Sequence, residues 1–201
     1  MKKYPVILAL LFMITTMISG CLFDEQCETE AQSIKIGQVY IDKYEASRVN
    51  ATAETQGTGI SLACNYAQTL PWTSVTYEDA KNACLDAGKR LCTKEEWMSA
   101  CGTAYPYGSS HQAGTCNDST SDEGSVLPAG SKSGCKSSAG VFDMSGNVRE
   151  WVEEGLLMGG SYNSDKNDSK CSAFMQVNIN SYVPTPGDGF RCCQDVSLQP
   201  Q

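Results

Sequence analysis

The 201-residue chain contains a single histidine, His111. A metal centre built on imidazoles needs several, so a histidine facial triad is excluded unless a second chain supplies ligands. Basic side chains are also scarce, 15 against 23 acidic ones, for a net charge of −8. A surface of that sign repels phosphate backbones, and no nucleic-acid partner is expected. Internal repeats and low-complexity tracts are absent, which argues against solenoid and linker architectures. The one long apolar run, "PVILALLFMITTMI", is short for a membrane span and is followed at once by small residues.

Cysteine, in contrast, is plentiful, at eleven residues, and an export signal accompanies it. Met1-Lys2-Lys3 gives a positive start ahead of the apolar run, the pattern of a secretory signal. The signal closes with "ISGC", residues 18–21, which resembles a bacterial lipobox and implies a diacylglyceryl thioether on Cys21. Such a lipid holds a chain on a membrane without spanning it, at roughly 0.8 kcal/mol per buried CH₂. An ordinary cleaved signal or an uncleaved anchor is the competing reading. The chain then divides into a signal peptide (1–20), a polar tether (21–33), one domain (34–196) and a tail (197–201). Loss of residues 1–20 removes Lys2 and Lys3 and no acid, leaving 13 basic and 23 acidic side chains and a net charge near −10. The expected location is extracytoplasmic, on the bacterial cell membrane or outer membrane. Leu22 after Cys21, rather than Asp, leans toward the outer membrane by resemblance to diderm sorting.

With Cys21 lipidated, ten thiols remain, an even number that allows five disulfides in an exported chain. Two of them, Cys192 and Cys193 in "GFRCCQ", are adjacent. Their Cα atoms lie about 3.8 Å apart, below the usual disulfide separation, and on a strand they point to opposite faces. Each needs its own partner, either another cysteine or a metal.

Between the ends, "IGQVYIDKYEAS" alternates around Val39, Ile41 and Lys43 as a strand and turn. Residues 48–70 form a polar loop. "VTYEDAKNACLDAG" predicts a helix capped by Thr76, with Ala80, Cys84 and Ala87 on one face and Gly88 as the stop. "CTKEEWMSACG" predicts a second helix, with Thr93 and Glu96 as a capping box, Trp97 and Cys101 on one face, and Gly102 as the stop. From Gly102 to Gly140 the periodicity fades, and Cys116 and Cys135 are natural staples for that irregular stretch.

Six motifs then stand in an order that carries a family resemblance: "YIDKYEAS", "PWTSVTYEDAKNACLDAGKRLCTKEEW", "YPYG", "GVFDMSGNVREWVEE", "MGGSY" and "GFRC". From about Val39 to Cys193 the chain resembles the formylglycine-generating enzyme, or sulfatase-modifying factor, family. The resemblance implies an α+β fold, a variant of the C-type-lectin fold with two helices, small antiparallel sheets and much irregular, disulfide-held structure. It also implies pairing of Cys84 with Cys192 and of Cys101 with Cys171. Cys92 and Cys193 are extra relative to the family enzymes and are assigned to each other. Cys116 with Cys135 and Cys27 with Cys64 complete the set. Metal binding by the vicinal thiols is the alternative.

Catalysis is where the sequence departs from that family. Its enzymes oxidise a substrate cysteine at copper(I), held by two thiolates just after "GGS", because soft sulfur matches this ion. Here the segment reads "GGSYNSDKNDSKC", with Ser164 and Ser169 near the places of those thiols. Ser161 matches the family's active-site serine, but copper is not expected. An iron branch of the superfamily, the sulfoxide synthases, uses several histidines, whereas His111 reads as a solvent-facing loop residue. The resemblance further proposes calcium at Asp143 and Glu150 with the carbonyls of Gly146 and Val148, an oxygen shell of the kind that ion takes. A hydrogen-bonded Asx turn with Glu150 on the surface is the competing reading. A second family calcium site would fall near Asn117 and Asp118, where the loop looks shortened.

The stretch 162–188 mixes amides with aromatics: Tyr162, Asn163, Phe174, Asn178, Asn180 and Tyr182. Recognition surfaces use that mixture, and so do solvated turn-rich loops. Three functions remain: a non-catalytic lipoprotein binding a protein, peptide or glycan through 162–188; a copper-dependent formylglycine-generating oxidase; and a structural envelope protein.

Overall fold

A computed structural model describes Cys27 and residues 32–196. The signal peptide, Cys21 and the tail 197–201 lie outside the described residues. Two helices stand where caps announce them. Thr76 accepts from the Asp79 N–H and opens α1, Tyr77–Asp86, which buries Tyr77, Ala80, Ala83 and Cys84. Thr93 and Glu96 exchange both bonds of a capping box at the start of α2, Lys94–Cys101, whose inner face is Trp97, Ala100 and Cys101.

The strands are short. The first sheet orders β1 (Ser33–Ile36), β2 (Val39–Asp42), β8 (Cys192–Asp195) and β3 (Arg90–Leu91), with every pair antiparallel. The second orders β6 (Phe174–Gln176), β5 (Leu156–Met158), β4 (Arg149–Trp151) and β7 (Asp188–Phe190), with β4 and β7 parallel. β1 begins at Ser33, where the sequence suggested tether; four residues of alternation are too few to mark a strand without a partner. Only Arg191 separates β7 from β8, so the chain steps from one sheet to the other at that residue.

This step explains the adjacent cysteines. Cys192 packs in the cluster of Trp72, Trp151 and Phe190 and is bonded to Cys84. Cys193 faces the cluster of Ile41, Trp97 and Met158 and is bonded to Cys92. Two neighbouring residues therefore tie β8 to α1 on one face and to the β3–α2 junction on the other. Cys101–Cys171, Cys116–Cys135 and Cys27–Cys64 are the remaining bonds, so all ten described cysteines are paired, two of the bonds being those that the resemblance implied. Disulfides in this number belong to an oxidising, extracytoplasmic compartment. Among the described residues no helix is long and apolar enough to cross a membrane.

The region 102–140 contains no helix or named strand, yet it is held. Beyond the Cys116–Cys135 bond, the "DMSGN" motif organises it from inside. Asn147 accepts from the Leu127 N–H at 2.9 Å and donates to the Leu127 carbonyl at 3.1 Å, while Asp143 accepts from the Gly130 N–H at 2.6 Å. At Gly146, φ is +74° and a Cβ would stand 2.2 Å from the Asn117 carbonyl, so only glycine lets the two segments cross there.

The Cys101–Cys171 bond spans 70 residues and joins α2 to the segment after β5. Replacing both cysteines by alanine is expected to lower the unfolding free energy by about 2–5 kcal/mol. Urea titration followed by tryptophan fluorescence checks it.

Candidate functional site

Two places concentrate the expected site residues: a buried charge cluster under the "DMSGNVRE" motif, and the surface made by residues 159–188. In the cluster, the Arg191 guanidinium is fully buried and donates through Nε and Nη2 to both oxygens of Glu150, each at 2.6 Å. Its remaining donors reach the carbonyls of Asp42 (2.9 Å) and Phe142 (2.8 Å). The Trp97 indole N–H adds a third bond to Glu150, at 2.7 Å. Glu45 lies in the same buried cluster and accepts from the Asn147 amide (2.6 Å) and the Val148 N–H (3.2 Å). Burial, then the nearby charges of Asp143 and Glu150, pushes the Glu45 carboxyl well above the ordinary range. Burial likewise pushes Asp143 up to about 7, against the pull of the Gly130 N–H and Arg191.

This arrangement bears directly on the expected calcium shell. Glu150 is buried rather than on the surface, as the Asx-turn reading had it, and among the described residues it is the only carboxylate in an ion pair with Arg191. Drawing it to calcium strands a guanidinium with no access to water. Asp143 and the carbonyls of Gly146 and Val148 then remain, and these residues as arranged do not fit calcium. No group of three or more His, Cys, Asp or Glu side chains among the described residues is placed to hold a metal. His111 is corrected as well: its ring is half-buried against Tyr105 and bonded to Asp118 at 2.7 Å.

The second place begins at "GGS". Gly160, at φ +73°, passes within 2.7 Å of the Asp168 carbonyl as a Cβ would see it, which folds 161–169 back on itself. Ser161 is buried and donates to Asn163 Oδ1 at 2.7 Å, while its N–H donates to Ser164 Oγ at 2.9 Å. Ser169 is fully buried, and its hydroxyl is without a hydrogen-bond partner. Ser164 and Ser169 offer hydroxyls where copper(I) takes soft sulfur, and every described cysteine is oxidised, so these residues do not fit copper(I).

Beyond the serines a cleft of about 180 Å³ opens, lined by Arg149, Ser164, Asp168, Phe174 and Met175 among others. Its frame is rigid: Arg149 pairs with Asp188, whose other oxygen accepts from the Tyr182 hydroxyl (2.8 Å) and the Thr185 N–H (2.7 Å). Burial and Asp188 push Tyr182 up to about 12, and its ring meets Trp151 edge-on. Tyr182 is thus half framework. Asn178 accepts from the Asn180 N–H and forms a turn, leaving Asn163, Asn178 and Asn180 exposed at the rim with Tyr162 half-buried. Sequence reading missed Ile179 and Val183, which stand 38% and 79% exposed beside Phe174 at 49%. Large apolar side chains in a loop rich in turn formers were the available signal. The Lys94 ammonium sits 4.0 Å from the Phe174 ring, and β6 is an edge strand with one side unpaired.

Two helices, two small sheets and five disulfides arranged in this way define a C-type-lectin-like α+β domain. The chain belongs to the family of the sulfatase-modifying factor enzyme 1-like domain, whose family model matches residues 12–196. It is similar to the serine/threonine-protein kinase Pkn1 of Chlamydia trachomatis serovar L2, 28% identical over 156 residues. That match covers 63% of this chain and only 24% of the kinase. Among solved structures it is similar to variable protein 1 of Treponema denticola, at a TM-score of 0.59 and 13% identity, over 78% of this chain and 84% of that one. PvdO from Pseudomonas aeruginosa gives a TM-score of 0.56 at 18% identity, over 78% of this chain and 80% of that one. At such identities the structures attest the fold alone.

Two outcomes follow from the cluster. Glu150→Ala leaves Arg191 buried without a counter-charge and is expected to cost about 3–5 kcal/mol, read by urea unfolding. Calcium added to chelator-stripped protein is expected to leave the melting temperature unchanged; a rise would mean that Glu150 exchanges partners.

Proposed function

We propose that this chain is a membrane-anchored, extracytoplasmic lipoprotein whose domain is non-catalytic and binds a protein, peptide or glycan through the 162–188 surface. The observation that carries the reading is exposed Phe174 on the wall of the cleft that follows "GGS", with Ile179 and Val183 also exposed further along the same segment. Exposed apolar side chains of that size signal recognition rather than folding. Oxidation of all ten described cysteines supports the absence of copper chemistry. The lipobox-like "ISGC" supports the anchor.

Among the proposed ligand classes, the open edge of β6 favours an extended peptide. A strand added there has backbone donors and acceptors to meet, and Phe174 and Gln176 project from that edge strand with exposed side chains. The test is selection of peptides on the immobilised protein, followed by affinity measurement. Phe174→Ala combined with Val183→Ala is expected to weaken selected peptides about tenfold or more while the disulfide map and melting curve stay unchanged. Oxygen uptake with a cysteine-containing sulfatase peptide and copper is expected to be nil; turnover would replace this reading with the oxidase.

A further inference from the structure

The five disulfides are not equally protected. Cys84 and Cys192 lie in the apolar cluster of Trp72 and Phe190, and Cys92, Cys101, Cys171 and Cys193 lie in that of Ile41 and Trp97. Cys116 and Cys135 belong to neither cluster and are buried all the same. Cys64 is buried too, whereas its partner Cys27 is half-buried, the only described cysteine that reaches solvent to that degree. Disulfide exchange begins with a thiolate attacking a sulfur, so access selects the bond that reacts.

The place of this bond in the chain gives its opening a defined consequence. On the Cys64 side the backbone has anchors of its own. Cys64 and Ser47 exchange backbone bonds of 2.7 and 2.9 Å, and the Ala63 N–H donates to the Ala83 carbonyl of α1 at 3.2 Å. The other four disulfides lie within the body and stay closed. On the Cys27 side, the next described attachment is at Gln32, whose carbonyl accepts from the Lys43 N–H at 2.7 Å just before β1 pairs with β2.

With the bond closed, residues 22–26 separate Cys21 from a fixed point, a reach of about 20 Å when fully extended. With it open, the leash runs from Cys21 to Gln32 and reaches about 37 Å. One exchange therefore nearly doubles the leash while the folded body keeps its own links.

We propose that the Cys27–Cys64 disulfide is a reducible clamp that sets the length of the tether between Cys21 and the domain. The electrons come from a dithiol. Its first thiolate attacks the Cys27 sulfur, the Cys27–Cys64 bond breaks, and Cys64 leaves as a thiolate. Its second thiolate then attacks the dithiol's own sulfur in the mixed disulfide, Cys27 leaves in turn, and both protein thiolates take up protons. The protein disulfide is reduced to two thiols and the dithiol is oxidised to its disulfide. Asp24, Glu25, Glu28 and Glu30 flank Cys27 in the sequence, which disfavours anionic glutathione and favours a neutral or cationic dithiol. The clamp rests on the lipoprotein reading, and the experiment separates the two.

Full-length chain is expressed with export, partitioned in a phase-separating detergent, and its amino-terminal mass is determined. The oxidised protein is exposed to graded dithiothreitol without denaturant, quenched with acid, alkylated and mapped by mass spectrometry. Cys27 and Cys64 are expected to be alkylated together, about tenfold faster than any other pair, while the melting transition stays cooperative. Another pair opening first, or several opening together, overturns the clamp and leaves the anchor intact. Lipidated protein is then held on a supported phosphatidylcholine bilayer, and neutron reflectometry measures the domain layer before and after selective reduction. Cys27→Ser with Cys64→Ser supplies a permanently open form. Both open forms are expected to carry the outer limit of the layer away from the bilayer, by up to about 17 Å. An unchanged layer overturns the clamp even where this bond opens first. If Cys21 carries no lipid, the lipoprotein reading fails and the clamp fails with it.

Discussion

The bidentate pair between Arg191 and Glu150 is the interaction on which the rest depends. Arg191 occupies the single residue between β7 and β8, and Glu150 lies in β4. The guanidinium also takes the carbonyl of Asp42, at the end of β2, and that of Phe142, while Trp97 of α2 reaches the same carboxylate. Both sheets, the second helix and the irregular region therefore converge on one buried charge pair. Such a pair is costly to desolvate and tolerates no missing partner, so its value lies in defining a single arrangement rather than in net stability. Arg191 makes four hydrogen bonds through Nε, Nη1 and Nη2, and such bonding is the condition for burying it at all.

Around this point, regular structure is thin. Strands of two to four residues cannot hold a domain of this size through ladder bonds alone. The disulfides compensate, and their placement follows the same geometry. Because β8 divides two apolar clusters, its consecutive residues Cys192 and Cys193 belong to different ones, and each bond crosses a different layer. A metal at the vicinal thiols would have needed both sulfurs on one side, which a strand does not allow.

Local physics was readable in the sequence. Thr76 and Thr93 marked helix starts because a cap acts on residues two or three positions away. Two of the disulfide pairs, Cys84–Cys192 and Cys101–Cys171, were legible through resemblance, since ten cysteines alone leave their connectivity open. β1 escaped because its four residues acquire meaning only when Ile34 faces Ile41 across the hairpin. The Glu45, Asn147, Glu150 and Arg191 network escaped for the same reason on a larger scale. Its bonds join residues 41 to 103 positions apart, and "DMSGNVRE" on its own looks like a loop of oxygen ligands. Tyr182 shows the converse error: an aromatic in a polar loop reads as display, yet Asp188 and Trp151 make it framework.

The candidate surface combines these two kinds of residue, and that division bears on what it is for. Arg149, Asp188 and Tyr182 tie the 159–188 segment to the second sheet through contacts that do not involve Phe174, Ile179 or Val183. A loop supported from beneath can change its outward side chains without losing its path. An enzyme built on the same segment has no such freedom, because its two metal thiolates belong to the loop itself and must keep a fixed separation. In this chain Ser164 is half-buried and Ser169 wholly buried, so neither shares the exposed outer positions. What remains is a segment held from beneath, with Phe174, Ile179 and Val183 exposed on its outer side.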